Sequence, residues 1–227
     1  MKQWLASEEW LKDGFTFELE SAVDARAMFE AIPEDWLERG AKERKKATEL
    51  RSLLRVLESQ TEVVPVEVVT RERPDFELRT GQGLVGVELS TLTTTRGERA
   101  SSTLASRGEG YVEEEGYREP GERPSGRGFV GREPEELWIE HATLCLVNKL
   151  QRLRGYDKRL GRSWLILYDN AHFSMHVSFK DVEGEAAEKL PVVNSCFRRG
   201  FERLFFVSES QLLNLKLSCN LNGGANS

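Results

Sequence analysis

The stretch Arg73-Pro74-Asp75-Phe76-Glu77-Leu78-Arg79-Thr80-Gly81-Gln82-Gly83-Leu84-Val85-Gly86-Val87-Glu88-Leu89-Ser90 decides how this chain is read. Two runs of alternating polarity flank Gly81-Gln82, a pair that suits a two-residue hairpin turn with glycine first. In the first run Phe76 and Leu78 share one face, and Asp75 and Glu77 share the other. In the second, Val85, Val87 and Leu89 lie opposite Gly86, Glu88 and Ser90. A register that pairs Thr80 with Gly83 also sets Asp75 opposite Glu88. Carboxylates so placed have Cβ atoms ~5 Å apart and destabilise a sheet unless something compensates. A divalent cation is the simplest compensation, since Mg²⁺ takes carboxylate and carbonyl oxygens and keeps waters for catalysis. The competing reading is a solvated hairpin whose polar face carries two acids by chance. A bulge at Gly83 would slip the register by one and spoil the pairing.

Working outward, the segment before the hairpin predicts a helix over 41–59, with Leu50, Leu53, Leu54 and Leu57 forming one apolar stripe. Seven residues before Leu50, Glu43 falls on that buried face, while Lys42, Arg44, Lys45 and Lys46 read as solvated. A valine-rich strand spans 63–70. Further upstream, Phe15, Phe17 and Leu19 alternate, and Ser21 with Asp24 starts a helix that Pro33 stops. After the hairpin, residues 96–132 hold seven arginines, seven glutamates and eight glycines in 37 positions, a composition that predicts an irregular, exposed segment. Its arginine-glycine pairs suit a phosphate backbone, but the equal number of glutamates suits a neutral lid as well. Pro134 with Glu135 and Glu136 opens a helix that runs to about Arg154. Strands follow at 164–168, 172–180 and 203–207, with a short helix at 212–217. The order predicts an α/β fold, a central mixed sheet flanked by helices. Residues 1–40 read as an N-terminal elaboration, 41–207 as the core with its insertion 96–132, and 208–227 as a C-terminal extension.

Composition narrows the function classes. The 227 residues carry a formal net charge of −6, which excludes a globally basic, histone-like binder but not a local patch or a metal centre. No run approaches the ~20 apolar residues of a membrane span, so no membrane partner is expected. The N-terminus does not read as a signal peptide. Cys145, Cys196 and Cys219 are odd in number and form no CxxC, which points to a reducing, cytoplasmic setting. His172 and His176 lack an evident third ligand for zinc.

Pro74-Asp75 followed thirteen residues later by Glu88-Leu89-Ser90, on adjacent strands, resembles the active-site signature of the PD-(D/E)XK phosphodiesterase superfamily, the restriction-endonuclease-like nucleases. The order helix, three strands, helix, strand is similar too. The resemblance implies a restriction-endonuclease-like core and metal-dependent hydrolysis of phosphodiester bonds, in DNA more readily than RNA. It implies Mg²⁺, which Mn²⁺ can replace, held by Asp75, Glu88 and the main-chain carbonyl of Leu89, with Glu43 as a further ligand. The chain departs from the pattern at Ser90, where the superfamily expects lysine. Some members carry that lysine on the following helix, and there Lys149 lies on the apolar arc of Ile139, Ala142, Leu146 and Leu150. A lysine on such an arc either finds an anion or extends its ammonium to water. Asp75, Glu88 and Lys149 are thus the catalytic candidates, and Ser90, Arg96 and Arg99 the candidates for touching substrate. Two readings compete with the nuclease: a binding module on the same fold without catalysis, and an acidic inhibitor that masks a basic partner.

Overall fold

A computed structural model describes residues 10, 12–33, 41–92, 131–152, 162–169, 177–195, 200–208 and 210–216; Arg96, Arg99, His172, His176 and nearly all of the 96–132 segment lie outside them. In chain order the elements are β1 (Thr16–Leu19), α1 (Ala22–Ala31), α2 (Ala41–Ser59), β2 (Val66–Thr70), β3 (Phe76–Thr80) and β4 (Gly83–Thr91). They continue with α3 (Glu133–Arg152), β5 (Arg162–Tyr168), α4 (Phe179–Ser195), β6 (Arg203–Val207) and β7 (Leu212–Lys216). The architecture is α/β: one seven-stranded mixed sheet whose strands stand in sequence order. Strands β1 to β4 pair antiparallel, β4, β5 and β6 run parallel, and β7 returns antiparallel to β6. The two parallel pairings need long crossovers, and α3 and α4 supply them.

Each face of the sheet has its own core. Val85, Val87 and Leu89 of β4 join Trp164, Ile166 and Phe205 against α1 and α2, where Leu50, Leu53, Leu54 and Leu57 are fully or almost fully buried. Leu165, Leu167, Leu204 and Phe206 point the other way, against Trp138, Ala142, Leu146 and Leu150 of α3 and Val182, Ala186 and Leu190 of α4. Strands β5 and β6, covered on both faces, therefore carry unbroken apolar runs. Burying one such leucine contributes roughly 1.5–3 kcal/mol, so the α2 stripe alone is a large share of a domain's net stability. Among the described residues, no helix is long and apolar enough to cross a membrane.

Local chemistry sets several boundaries. Helix α1 starts at Ser21, whose Oγ accepts the Asp24 N–H at 3.2 Å, and it ends at Ile32 before Pro33. The β3–β4 ladder joins Thr80 to Gly83 and Phe76 to Val87, the register that brings Asp75 level with Glu88. The turn differs from the glycine-first form: the positive φ, +113°, falls at Gly83, and Thr80 Oγ1 accepts the Gln82 N–H and donates to the Gly83 carbonyl.

Two elements correct the sequence reading. Phe179-Lys180, read as the end of a strand, instead opens α4, with Val177-Ser178 irregular before it and residues 170–176 outside the described set. Phe179, Val182, Ala186 and Leu190 form a helical stripe that the polar-apolar alternation just upstream obscured. Residues 212–216, read as a short helix, form β7, with Leu213 and Leu215 buried and Lys216 exposed. Six residues are too few to separate the two periodicities; the free edge of β6 decides. The first segment also adds β1 to the sheet, and Phe17, Leu19, Ala25 and Met28 enter the same core as α2.

Candidate active site

The β3 ladder stops at the Phe76–Val87 pair, while β4 runs on to Thr91, and this sets up the site. Beyond Val87, β4 main-chain groups on that side have no β3 partner, and buried backbone groups must be satisfied by something else. Asp75 takes the first: its Oδ2 accepts the Leu89 N–H at 2.7 Å. Lys149, arriving from α3, takes the next: its Nζ donates to the Leu89 carbonyl at 3.2 Å and to Glu88 Oε1 at 2.7 Å. Cys145, one turn earlier on α3, lies 3.7 Å from the Thr91 carbonyl. Three side chains thus do the work of a missing strand end, and two of them are the acid and the lysine that the motif singles out.

The setting is sheltered. The side chains of Lys149 and Glu88 are each 11 % exposed, so the ammonium neither reaches bulk water nor snorkels. Burial pushes the Asp75 carboxyl up to about 7, helped by the negative charges of Glu88 and then Glu49; the Leu89 N–H and Lys46 act in the opposite direction. Carboxylates crowded together away from water favour either a shared proton or a cation.

The structure places the sequence candidates unevenly. Asp75, Glu88, Leu89 and Lys149 come together at the adjoining ends of β3, β4 and α3. Ser90 follows on β4, half-buried. Glu43 is half-buried in the first turn of α2. The buried acid of that helix is Glu49, at 6 % exposure, and it is Glu49 whose charge reaches Asp75. A single leucine stripe could not reveal it. Glu49 and Ser52 lie beside the leucine stripe and are buried with it, at 6 % and 2 % exposure. Lys46, read as solvated, is also drawn in: its Nζ lies 3.2 Å from Glu49 Oε2, with the side chain 24 % exposed.

The residues themselves decide whether a metal ion fits. Among the described residues, no group of three or more His, Cys, Asp or Glu side chains is gathered closely enough to hold a cation. Asp75 and Glu88 do present two carboxylates side by side, and Mg²⁺ is commonly held by one or two carboxylates, water and substrate phosphate. The donor chemistry fits on that basis. Two of the implied ligand atoms, Glu88 Oε1 and the Leu89 carbonyl, already accept from Lys149. Among the described residues, Glu88 Oε2 and Asp75 Oδ1 accept no such bond.

Comparison with known proteins finds no matching family model, curated protein or solved structure.

Proposed function

We infer that the chain is a metal-dependent nuclease with a restriction-endonuclease-like core, hydrolysing phosphodiester bonds and acting on DNA in preference to RNA. The observation that carries the reading is the meeting of Asp75, Glu88 and Lys149 at the adjoining ends of two strands and the next helix. The order α2, β2, β3, β4, α3, β5 supports the same fold. The preference for DNA rests on the resemblance alone.

In this reading Asp75 and Glu88 hold Mg²⁺, or Mn²⁺ in its place, with the Leu89 carbonyl available as an oxygen ligand. When bound, such a cation lowers the pKa of a water and offsets charge on the phosphate. Asp75 has to release its proton to serve as a ligand, which ties the site to pH near its raised value of about 7. Lys149 holds Glu88 in place and keeps its third ammonium proton to donate to a phosphate oxygen as negative charge grows there. The apolar core behind β4 excludes bulk water and strengthens both interactions.

One observation favours the second reading, a nucleic-acid-binding module without catalysis. Lys149 sits on the two atoms through which Glu88 and Leu89 would reach a metal, and an ammonium there substitutes for the cation's charge. A cleavage assay separates the two. Labelled duplex DNA, single-stranded DNA and RNA are incubated with the protein in Mg²⁺, Mn²⁺ or EDTA. The nuclease reading expects strand scission with either metal and none in EDTA or with Asp75→Asn. Binding without scission in any condition favours the module.

A further inference from the structure

The acid-rich site has a cationic flank on α2 as well as on α3. Two ammonium groups converge on one carboxylate: Lys45 Nζ lies 3.4 Å from Glu49 Oε1, and Lys46 Nζ lies 3.2 Å from Glu49 Oε2. One positive charge neutralises Glu49, so the second is in surplus. The two lysines differ in setting, since the Lys45 side chain is 73 % exposed and that of Lys46 is 24 % exposed. Glu49 Oε2 is fully sheltered, yet among the described residues it receives no hydrogen bond. The Lys46 ammonium is therefore near that oxygen without having its protons committed to it.

Position supplies the rest. Lys46 comes from α2, which packs on the opposite face of the sheet from α3, the helix of Lys149, and its charge acts on Asp75. Arg44 in the adjacent turn of α2 and Arg73 in the loop leading to Asp75 are both exposed, with Glu43 and Glu72 beside them. The first turns of a helix favour anions in addition. Glu49, Asp75 and Glu88 would together repel a polyanion, so any nucleic acid entering here needs cations on both sides of the acids. Lys149 provides one on α3.

We propose that Lys46 is a substrate-binding residue: its ammonium holds a backbone phosphate beside the one at Asp75 and Glu88, and the first turns of α2 form the lip along which a nucleic acid lies. This rests on the nuclease reading for the identity of the substrate, but not on catalysis. Lysine binds phosphate as a point charge, without reading sequence.

The test is fluorescence anisotropy of the full chain with labelled DNA duplexes of unrelated sequence, in EDTA, across a range of salt. Lys46→Ala weakens binding several-fold on every duplex and lowers the slope of log affinity against log salt by about one. Lys46→Arg keeps affinity and slope. The loss persists when Lys46→Ala is made in a Glu49→Gln background, which removes the acid that Lys46 could merely be neutralising. Disappearance of the loss in that background overturns the proposal, as does a wild type that binds no duplex. Scission by the wild type with unchanged binding by Lys46→Ala sinks the proposal and leaves the nuclease reading intact. Lys46-dependent binding without scission in Mg²⁺ or Mn²⁺ supports the proposal and removes the nuclease reading.

Discussion

Lys149 Nζ lies 2.7 Å from Glu88 Oε1, across 61 residues of sequence, with both side chains almost closed to water. The contact joins a strand and a helix through the only part of β4 that β3 leaves uncovered. Removing the lysine therefore has two consequences. Lys149→Ala should cut nuclease turnover by about a hundredfold, the scale of losing one transition-state donor. It should also destabilise the fold by about 1–3 kcal/mol, because Glu88 and the Leu89 carbonyl are left sheltered and without their donor. Urea unfolding and single-turnover kinetics on the same preparation read both quantities.

Ser90 offers a way to separate those effects. It follows Glu88 on the same face of β4 by strand alternation, where the superfamily pattern carries its lysine. Ser90→Lys in the Lys149→Ala background should recover part of the lost activity. Recovery of turnover without recovery of stability would assign the ammonium's catalytic part to its charge and its structural part to the Leu89 carbonyl. No recovery of either would mean that the ammonium must come from α3.

Stability should depend on pH through Asp75. Its carboxyl titrates at about 7 in the fold against 3.8 ordinarily, so the native state holds a proton that the unfolded chain releases. The contribution is fully present below about pH 4 and is lost as pH rises through 7, an effect of a few kcal/mol at most. Asp75→Asn can still accept the Leu89 N–H and carries no charge. It should therefore gain stability relative to wild type between pH 4 and 7, measured by denaturant unfolding at fixed ionic strength. A constant difference across that range would show that neither burial nor the charges of Glu88 and Glu49 raise the Asp75 carboxyl.

The same linkage governs metal. A divalent cation that takes Asp75 as ligand competes with its proton, so Mn²⁺ should raise the melting temperature more at pH 8 than at pH 6. Asp75→Asn and Glu88→Gln should each abolish the shift. A shift that survives both substitutions would place the metal elsewhere.

A structural prediction stands apart from the site. Ser21→Ala removes the oxygen that receives the Asp24 N–H at the start of α1, and it should cost about 1 kcal/mol by urea denaturation.

What the sequence discloses follows the range of the interactions. The hairpin register was legible because two alternating runs flank Gly81-Gln82, although the turn places its positive φ at Gly83, and α2 because four leucines repeat on one face. The position of Lys149 on an inward arc was legible from helical spacing alone; whether its ammonium met an anion or water was not, and the contact with Glu88 answers it. Glu49 and Lys46 were not legible, since their shelter and their influence on Asp75 arise from tertiary packing around α2 that the leucine stripe does not encode. β7 was misread for a similar reason: its strand form depends on the edge of β6, not on its own six residues. α4 was hidden behind an alternating stretch that ends where the helix begins.

The most direct test of a metal centre is a crystal of the full chain soaked in Mn²⁺ at pH 8, with anomalous density sought at the ends of β3 and β4. The account predicts one strong peak about 2.1 Å from an oxygen of Asp75 and an oxygen of Glu88, the spacing of a hard octahedral cation. It also predicts that Lys149 stays within hydrogen-bonding distance of Glu88 or turns toward a phosphate analogue added with the metal. Density absent from this site, with Lys149 still on Glu88 Oε1 and the Leu89 carbonyl, would contradict the account and leave the ammonium as the site's permanent cation.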